Sequence, residues 1–495
     1  MSSSDVEPEP IPLGFCLVPL GVLVAGLVGV LVVVPRLEPG FEGSGHVPLV
    51  LAAAAAALVA RRFGHDIARI ERGLAEGVSA GLPAIFVLMT IGMLMGTWLA
   101  SGTVQALIYW GLGLLSPRVF LAATCLVCSL VSLVSGSSWS TAGTIGLALV
   151  GVGDALGIDP AMTAGAVVSG AYFGDKLSPL SDTTNLAPAV AGADLFVHIR
   201  HMLWTTVPSW VLALGLYTAL GFGLAEGPVH DVAPLRAALD THFGPGPLHL
   251  VPPGVVALLI ARRHRPLPAL LAGVLAGAVV ALAQGVSVGT VVTAATSGYV
   301  STTGVGELDA LLSRGGMLSL GSTVFLIVCA LAFGGVLEAT GMLEVLAAAL
   351  LRRARTTGRL VAATVASAFG MNVVAADQYI SIVVPGRMLA PAYRARGLAP
   401  QNLSRALEDG GTITSPLVPW NTCGAFMAAT LMVPTFAYAP YAFLNLLNPL
   451  LSILYGITGF SMVPAAAEAS TDEGERGAGA GGGRGLHGPS DDGQR

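Results

Sequence analysis

Three charged residues, Asp175, Lys176 and Asp182, fall within residues 170–185 (GAYFGDKLSPLSDTTN), in a stretch otherwise apolar enough for a bilayer. A charge at bilayer depth costs about 2.5–3.5 kcal/mol on insertion scales, so it persists where it meets water, a partner or a passing ion. Pro179 removes a backbone donor and interrupts the helix, and the freed carbonyls are tolerated there only inside protein or along a wet cavity. After it, Ser181, Asp182, Thr183, Thr184 and Asn185 offer hydroxyl, carboxylate and amide oxygens, the ligand set that a hard cation such as Na⁺ prefers. Asp182, Thr183 and Asn185 are the candidate ligands. The plainer reading is a proline kink held by Ser/Thr back-bonding, which has no need of Asp182.

The break has a second copy downstream. Gly174, Ser178, Pro179 and Leu180 recur 237 residues later as Gly411, Ser415, Pro416 and Leu417, followed by Asn421 and Thr422. Three more matches lie in chain order at nearly that spacing: residues 122–124 (AAT) with 362–364, Gly157 and Pro160 with Gly397 and Pro400, and Gly96 and Gly102 with Gly335 and Gly341. Polar islands at 135–141 (SGSSWST) and 375–381 (AADQYIS) also align, 240 residues apart, and interrupt apolar runs as hairpin tips or second breaks would. Asp377 is then either a second buried carboxylate or a loop carboxylate at the membrane surface. Charge differs between the copies. Arg118 is alone in its loop, whereas the counterpart holds Arg352, Arg353, Arg355 and Arg359; Asp154 and Asp159 match Arg394 and Arg396. Such asymmetry fits repeats inserted in opposite orientations, the plan of secondary transporters with a midplane site.

These breaks belong to a chain of 495 residues that is 54% apolar and 11% charged, with a mean hydropathy of +0.76. Soluble domains carry roughly 25% charged residues, so a soluble multidomain enzyme is excluded. The fold class expected is an all-α polytopic membrane protein with two inverted-topology repeats, broken helices and re-entrant hairpins as candidates. High glycine (64) and proline (31) contents suit close helix packing and deliberate breaks. The net charge of −5 says little about partners, and no basic cluster interleaved with aromatics supports nucleic-acid binding. Cys125 and Cys128 form a CxxC, but Cys16, Cys329 and Cys423 supply no second pair, so buried small hydrophobes are expected.

Apolar stretches near 12–34, 47–60, 82–100, 119–134, 138–152, 161–177, 203–224, 248–261, 267–284, 321–338, 358–374, 378–392, 412–436 and 440–460 divide the chain. Several are shorter than the roughly 20 residues of a full span. The expected divisions are 1–81, a cytoplasmic N-terminus with two leading spans; 82–225, the first transport repeat; 226–320, a Pro-rich connector with further spans; 321–460, the second repeat; and 461–495, a Gly-rich disordered tail. Asp5, Glu7 and Glu9 without Lys or Arg argue against a cleaved secretory signal. Arg61, Arg62, Arg69 and Arg72, and later Arg262, Arg263 and Arg265, mark cytoplasmic loops.

Other polar residues carry open readings. Glu338 could face a cavity or cap a helix end near water. Asp175 and Lys176 could pair to hold the break in shape. Glu408 and Asp409 precede the second break and could line an access path. His198 and His201, beside Arg200, titrate near neutrality if solvated, although interfacial histidines without such a role are commoner. Residues 151–154 match the GxGD pattern of intramembrane proteases, without a Tyr-Asp partner on a preceding span.

With these residues in view, the chain resembles the NhaC family of sodium/proton antiporters. Residues 170–202 (GAYFGDKLSPLSDTTNLAPAVAGADLFVHIRHM) look like the family's most distinctive segment, and 91–102 (IGMLMGTWLASG) and 333–343 (FGGVLEATGML) are similar to further family blocks. The similarity spans about residues 80–460. It implies a transporter of the ion transporter superfamily in which hairpin tips share cation binding with the broken helices. Carried over residue by residue, that role falls on Ser137, Ser138, Asp182, Thr183 and Asn185, and on Asp377, Asn421 and Thr422. Pro419 stands at the place of Asp182 in the second copy, so two equivalent ion sites are not implied.

The expected function is Na⁺/H⁺ antiport across the cell membrane, with cation and proton competing for Asp182 and with Asp175, Lys176 and Glu338 in support. No cofactor is expected, and no enzyme activity. Partners are Na⁺ or Li⁺, H⁺ and the lipid bilayer, with homo-oligomerisation left open. The alternative is Na⁺- or H⁺-coupled exchange of a small organic anion of the malate/lactate type or an amino acid, for which Arg387 is the sequence feature.

Overall fold

Proline and glycine punctuation sets most helix ends. The computed structural model describes residues 9–38, 43, 45–114, 116–224, 233–262, 264–351 and 354–465. The tail from 466, residues 225–232 of the connector, and Asp5, Glu7, Arg263, Arg352 and Arg353 lie outside the described residues. The leading helices are α1 (Leu13–Val28), α2 (Val34–Leu37), α3 (His46–Arg62) and α4 (Ile67–Ala80). Then come α5 (Leu82–Ala100), α6 (Thr103–Leu114), α7 (Pro117–Ser135), α8 (Ser138–Thr141), α9 (Leu147–Ala155), α10 (Pro160–Leu177), α11 (Asp182–Ala191) and α12 (Leu195–Leu224). The connector holds α13 (Ala233–Phe243), α14 (Val251–Ala261), α15 (Pro266–Ala283), α16 (Val288–Ser297) and α17 (Gly306–Leu312). The series closes with α18 (Gly321–Ala339), α19 (Met342–Leu351), α20 (Thr357–Val374), α21 (Gln378–Ala395), α22 (Pro400–Gly410), α23 (Thr422–Leu431), α24 (Thr435–Tyr438) and α25 (Phe443–Thr458). No strand occurs among the described residues, so the chain is an all-α polytopic membrane protein.

Among the described residues six helices are long and apolar enough to cross a membrane: Leu13–Leu37, Leu82–Ala100, Pro117–Ser135, Leu195–Gly223, Pro266–Ala283 and Met317–Ala339. Two bent pairs pass the same test together, 233–261 with a 96° bend and 422–441 with an 88° bend. Between these spans the shorter helices pack as broken pieces, in keeping with the short apolar runs of the sequence.

Local chemistry explains the pieces. Pro117, Pro160 and Pro400 sit in the first turn of their helices, where a missing N–H costs nothing. Asp159 caps α10 by accepting from the Ala161 N–H at 2.8 Å. The left-handed positions recur through the chain: Gly136 (φ 67°) and Ala376 (57°), Gly157 (73°) and Gly397 (62°), and Gly192 (79°) and Met432 (56°) are each 240 residues apart. The helix order recurs with them, and α11 packs on α21 and α22 while α23 packs on α5 and the π-helical turn Ala142–Gly146. Each copy thus lends a short helix to the other's body.

Two elements differ from the hydropathy reading. The stretch expected at 203–224 is the C-terminal part of the 30-residue α12, which starts at Leu195. His198 and His201 depress the local hydropathy, yet both are buried against neighbouring helices. Residues 461–465, counted with the tail, are tied to α22: the Asn402 amide donates to the Val463 carbonyl at 2.7 Å and Ala465 N–H to the Gly397 carbonyl at 2.7 Å.

Candidate functional site

The first break is built from the ends of α10 and α11. Ser178 leaves the helix in an extended conformation, and Pro179 and Leu180 form a turn before Ser181. The end of α10 is capped from across the break: the Thr184 hydroxyl donates to the carbonyls of Asp175 and Lys176, at 3.0 Å each. Asp175 is buried, and its Oδ2 accepts from the Ser138 hydroxyl at 2.6 Å. Ser138 opens α8 just past Gly136, where a Cβ would lie 2.6 Å from the Leu180 Cβ; only glycine lets this tip meet the break. Ser137 caps α8 by accepting from the Ser140 N–H at 3.2 Å.

Asp182 begins α11 and is exposed. The Tyr379 hydroxyl, from the other copy, reaches its Oδ2 at 3.5 Å, and Asp182 lies within electrostatic reach of Asp175. Thr183 is buried, with its Oγ1 3.3 Å from the Ser181 Oγ. Asn185 spends its amide N–H groups on the break itself, donating to the Pro179 carbonyl at 2.9 Å and the Ser181 carbonyl at 2.7 Å. Its side-chain oxygen makes no hydrogen bond among those of the described residues. Asp175, Ser138, Asp182, Thr183 and Tyr379 therefore converge where the two copies meet.

The second break is organised by amides. Asn372 donates to the Gly411 carbonyl at 2.6 Å and to Thr414 Oγ1 at 3.1 Å. Asn421 donates to the side-chain oxygen of Asn372 at 3.1 Å and caps α23 by accepting from the Cys423 N–H at 2.9 Å. Gln378 Oε1 accepts from the Ser415 hydroxyl at 2.9 Å and from the Cys423 thiol at 2.7 Å. Asp377 is buried and caps α21, accepting from Tyr379 N–H at 2.8 Å and Ile380 N–H at 3.0 Å. Thr422 is buried, its N–H bonded to the Ala376 carbonyl at 2.9 Å.

Lys176 does not pair with Asp175. Consecutive helical residues point about 100° apart, so while Asp175 turns to Ser138, Lys176 turns to Asp409 of α22 in a fully buried ion pair. Asn448 Oδ1 accepts from the same ammonium at 2.9 Å, and the Thr205 hydroxyl donates to Asp409 at 3.2 Å. Next to Asp409, Glu408 is fully buried and neither of its oxygens has a hydrogen-bond partner. The sequence left Glu408 and Asp409 as residues that could line an access path; the pairing with Lys176 has no signal in the chain, since the two segments are 233 residues apart.

Other candidates resolve more simply. Glu338 is exposed in the last turn of α18. Arg387 is exposed on α21. Asp154 of the GxGD match pairs with Arg314 at 3.8 Å. Cys125 and Cys128 are buried, free thiols.

A bundle of apolar spans surrounding paired helix breaks, with buried charges at the breaks, has the plan of a membrane transporter. A family model described as the Na⁺/H⁺ antiporter family matches residues 170–460. The chain is 41% identical over 451 residues to the Na⁺/H⁺ antiporter NhaC of Alkalihalophilus pseudofirmus, covering 91% of this chain and 96% of that one. It is 37% identical over 407 residues to the malate-2H⁺/Na⁺-lactate antiporter of Bacillus subtilis (82% and 87% covered). It is 37% identical over 480 residues to the arginine/ornithine antiporter ArcD of Halobacterium salinarum (95% and 97% covered). The chain belongs to the Na⁺/H⁺ antiporter family.

Proposed function

We propose that the chain exchanges Na⁺ for H⁺ across the cell membrane, with its N-terminus on the cytoplasmic side. The observation that carries the reading is the buried Asp175 carboxylate at a helix break, bonded to Ser138 of the opposing tip and backed by Asp182. In this reading Na⁺ sits among Asp175, Asp182, Ser138 and Thr183, with Asn185 contributing its free side-chain oxygen. Ser137, Asp377, Asn421 and Thr422 hold the two tips and the second break in place around it. Burial favours the neutral acid and a bound cation favours the carboxylate, so proton and cation exclude one another. Two copies in opposite orientation, each lending a helix to the other, would move against each other to expose the site alternately. The family membership and the relatives named as Na⁺/H⁺ antiporters support the ions chosen.

Na⁺-driven proton movement in everted vesicles tests this, with the Asp175→Asn/Asp182→Asn double variant as comparison. Undiminished exchange by the double variant would sink the assignment. Two relatives carry names for organic-ion exchange, malate/lactate and arginine/ornithine, and they support a second reading of coupled organic-ion exchange. The exposed Arg387 lends it nothing. Proteoliposomes given malate, lactate or arginine with and without Na⁺ separate the two.

A further inference from the structure

Glu408 lies outside the cation site just described, in a second buried polar cluster. It is on α22, which packs against α10's neighbours α12 and α25 as well as α11, α20 and α21. More than half of the buried side-chain polar atoms without a partner, among the described residues, fall on α12, α22, the residues just after it, and α25. They include both Glu408 oxygens, Asp409 Oδ2, Arg405 Nε, the Nε2 atoms of His198 and His201, and Ser452 Oγ. Folded proteins leave few such atoms unsatisfied, and those that persist call for a functional reason.

The charges around Glu408 make it suited to exchanging a proton. Lys176 from α10, Asp409 beside it, and Asp175 at the break are its charged neighbours within electrostatic reach. Arg405 lies on its own helix, and α12 brings His198 and His201; Tyr393 of α21 and Tyr455 of α25 lie near Arg405. Asp182 of α11 stands at the mouth of the cation site, and no acid or base of α20 joins the cluster. An ionised carboxylate with no hydrogen bond is costly in such surroundings, which favours the neutral acid. Lys176 favours the ionised form, and the acids Asp409 and Asp175 oppose it. The Thr412 hydroxyl, just after α22, lies beside the carboxylate and can turn to either form, although it is not in hydrogen-bond geometry with either oxygen. Within the cluster Ser404 bonds His198 Nδ1 at 2.7 Å, and outward from it Arg405 donates to the half-buried Ser461 at 2.7 Å.

We propose that Glu408 is a second proton-carrying carboxylate, separate from the Asp175–Asp182 site and reached along α12, α22 and α25, so that each cation is exchanged for more than one proton. The proton binds to the Glu408 carboxylate from water on one side of the membrane and leaves to water on the other. The proposal rests on Na⁺/H⁺ exchange being the activity, and it adds a proton that does not compete directly with the cation.

The test is the full-length chain in proteoliposomes, wild type against Glu408→Gln, which keeps the shape and removes the exchangeable proton. Na⁺/Na⁺ exchange at equal pH and the H⁺:Na⁺ ratio from flux reversal are measured together. The expected result is Na⁺/Na⁺ exchange at the wild-type rate with the ratio lowered by one proton. An unchanged ratio overturns the proposal. So does loss of Na⁺/Na⁺ exchange in a variant that still elutes as a folded protein, because Glu408 would then belong to the cation site. If the wild type moves no proton with Na⁺, the functional reading fails instead. The carbonyl stretch of a protonated carboxylic acid in the infrared spectrum then decides: its loss in Glu408→Gln supports the site, and its absence from the wild type overturns it.

Discussion

The two helix breaks begin from the same Gly-x-x-x-Ser-Pro-Leu pattern and end in different chemistry. The first exposes one carboxylate, Asp182, and buries another, Asp175, whose Oδ2 accepts from the Ser138 hydroxyl. The second is closed by Asn372 and Asn421, whose amides bond backbone, Thr414 and each other, and by Gln378, whose side-chain oxygen accepts from the Ser415 hydroxyl and the Cys423 thiol. A group with spare capacity can take up and release an ion, whereas a satisfied network fixes shape. The difference teaches that a duplicated scaffold can keep its geometry in both copies while the side chains lining each break diverge.

The comparison is broken most directly by Asp175→Asn. Loss of a charge-assisted hydrogen bond worth ~1.5–3 kcal/mol predicts a fall of about 10- to 100-fold in Na⁺-dependent proton flux. A fall of less than twofold in vesicles with equal protein content would show that the first break is no more chemical than the second. The second break should respond in stability. Asn421→Ala removes an N-cap and strands Asn372, at a cost of ~1–3 kcal/mol. Thermal unfolding in detergent checks this, and the folded fraction should keep its half-saturating Na⁺ concentration.

The matched tips sharpen the comparison further. Gly136→Ala places a methyl 2.6 Å from the Leu180 Cβ at φ 67° and should destabilise by ~1–2 kcal/mol. Ala376→Gly at the partner position removes strain and should be neutral or stabilising by at most ~1 kcal/mol. Opposite signs in the same unfolding assay are the expected outcome. The smallest effect belongs to Asp182→Asn. An exposed charge worth up to ~1 kcal/mol should raise the half-saturating Na⁺ concentration about two- to fivefold, and a larger shift than that of Asp175→Asn would reverse their ranking.

The sequence by itself determined what depends on local composition. Apolar runs and prolines named the broken helices, and the 240-residue spacing paired them before any coordinates. Hydropathy misjudged α12 at its start, because burial of His198 and His201 is decided by the helices beside them. Which acid is buried was also beyond a linear reading: Asp175 and Asp182 are seven residues apart and look alike in the chain, yet one faces Ser138 and the other the exterior. Only the tertiary structure decided that Lys176 pairs with Asp409, 233 residues away, and that Glu408 beside it has no partner. Side-chain direction on a helix follows from sequence, but what lies at the end of that direction is set by the packing of segments far apart in the chain, and charge chemistry in a membrane depends on that neighbour.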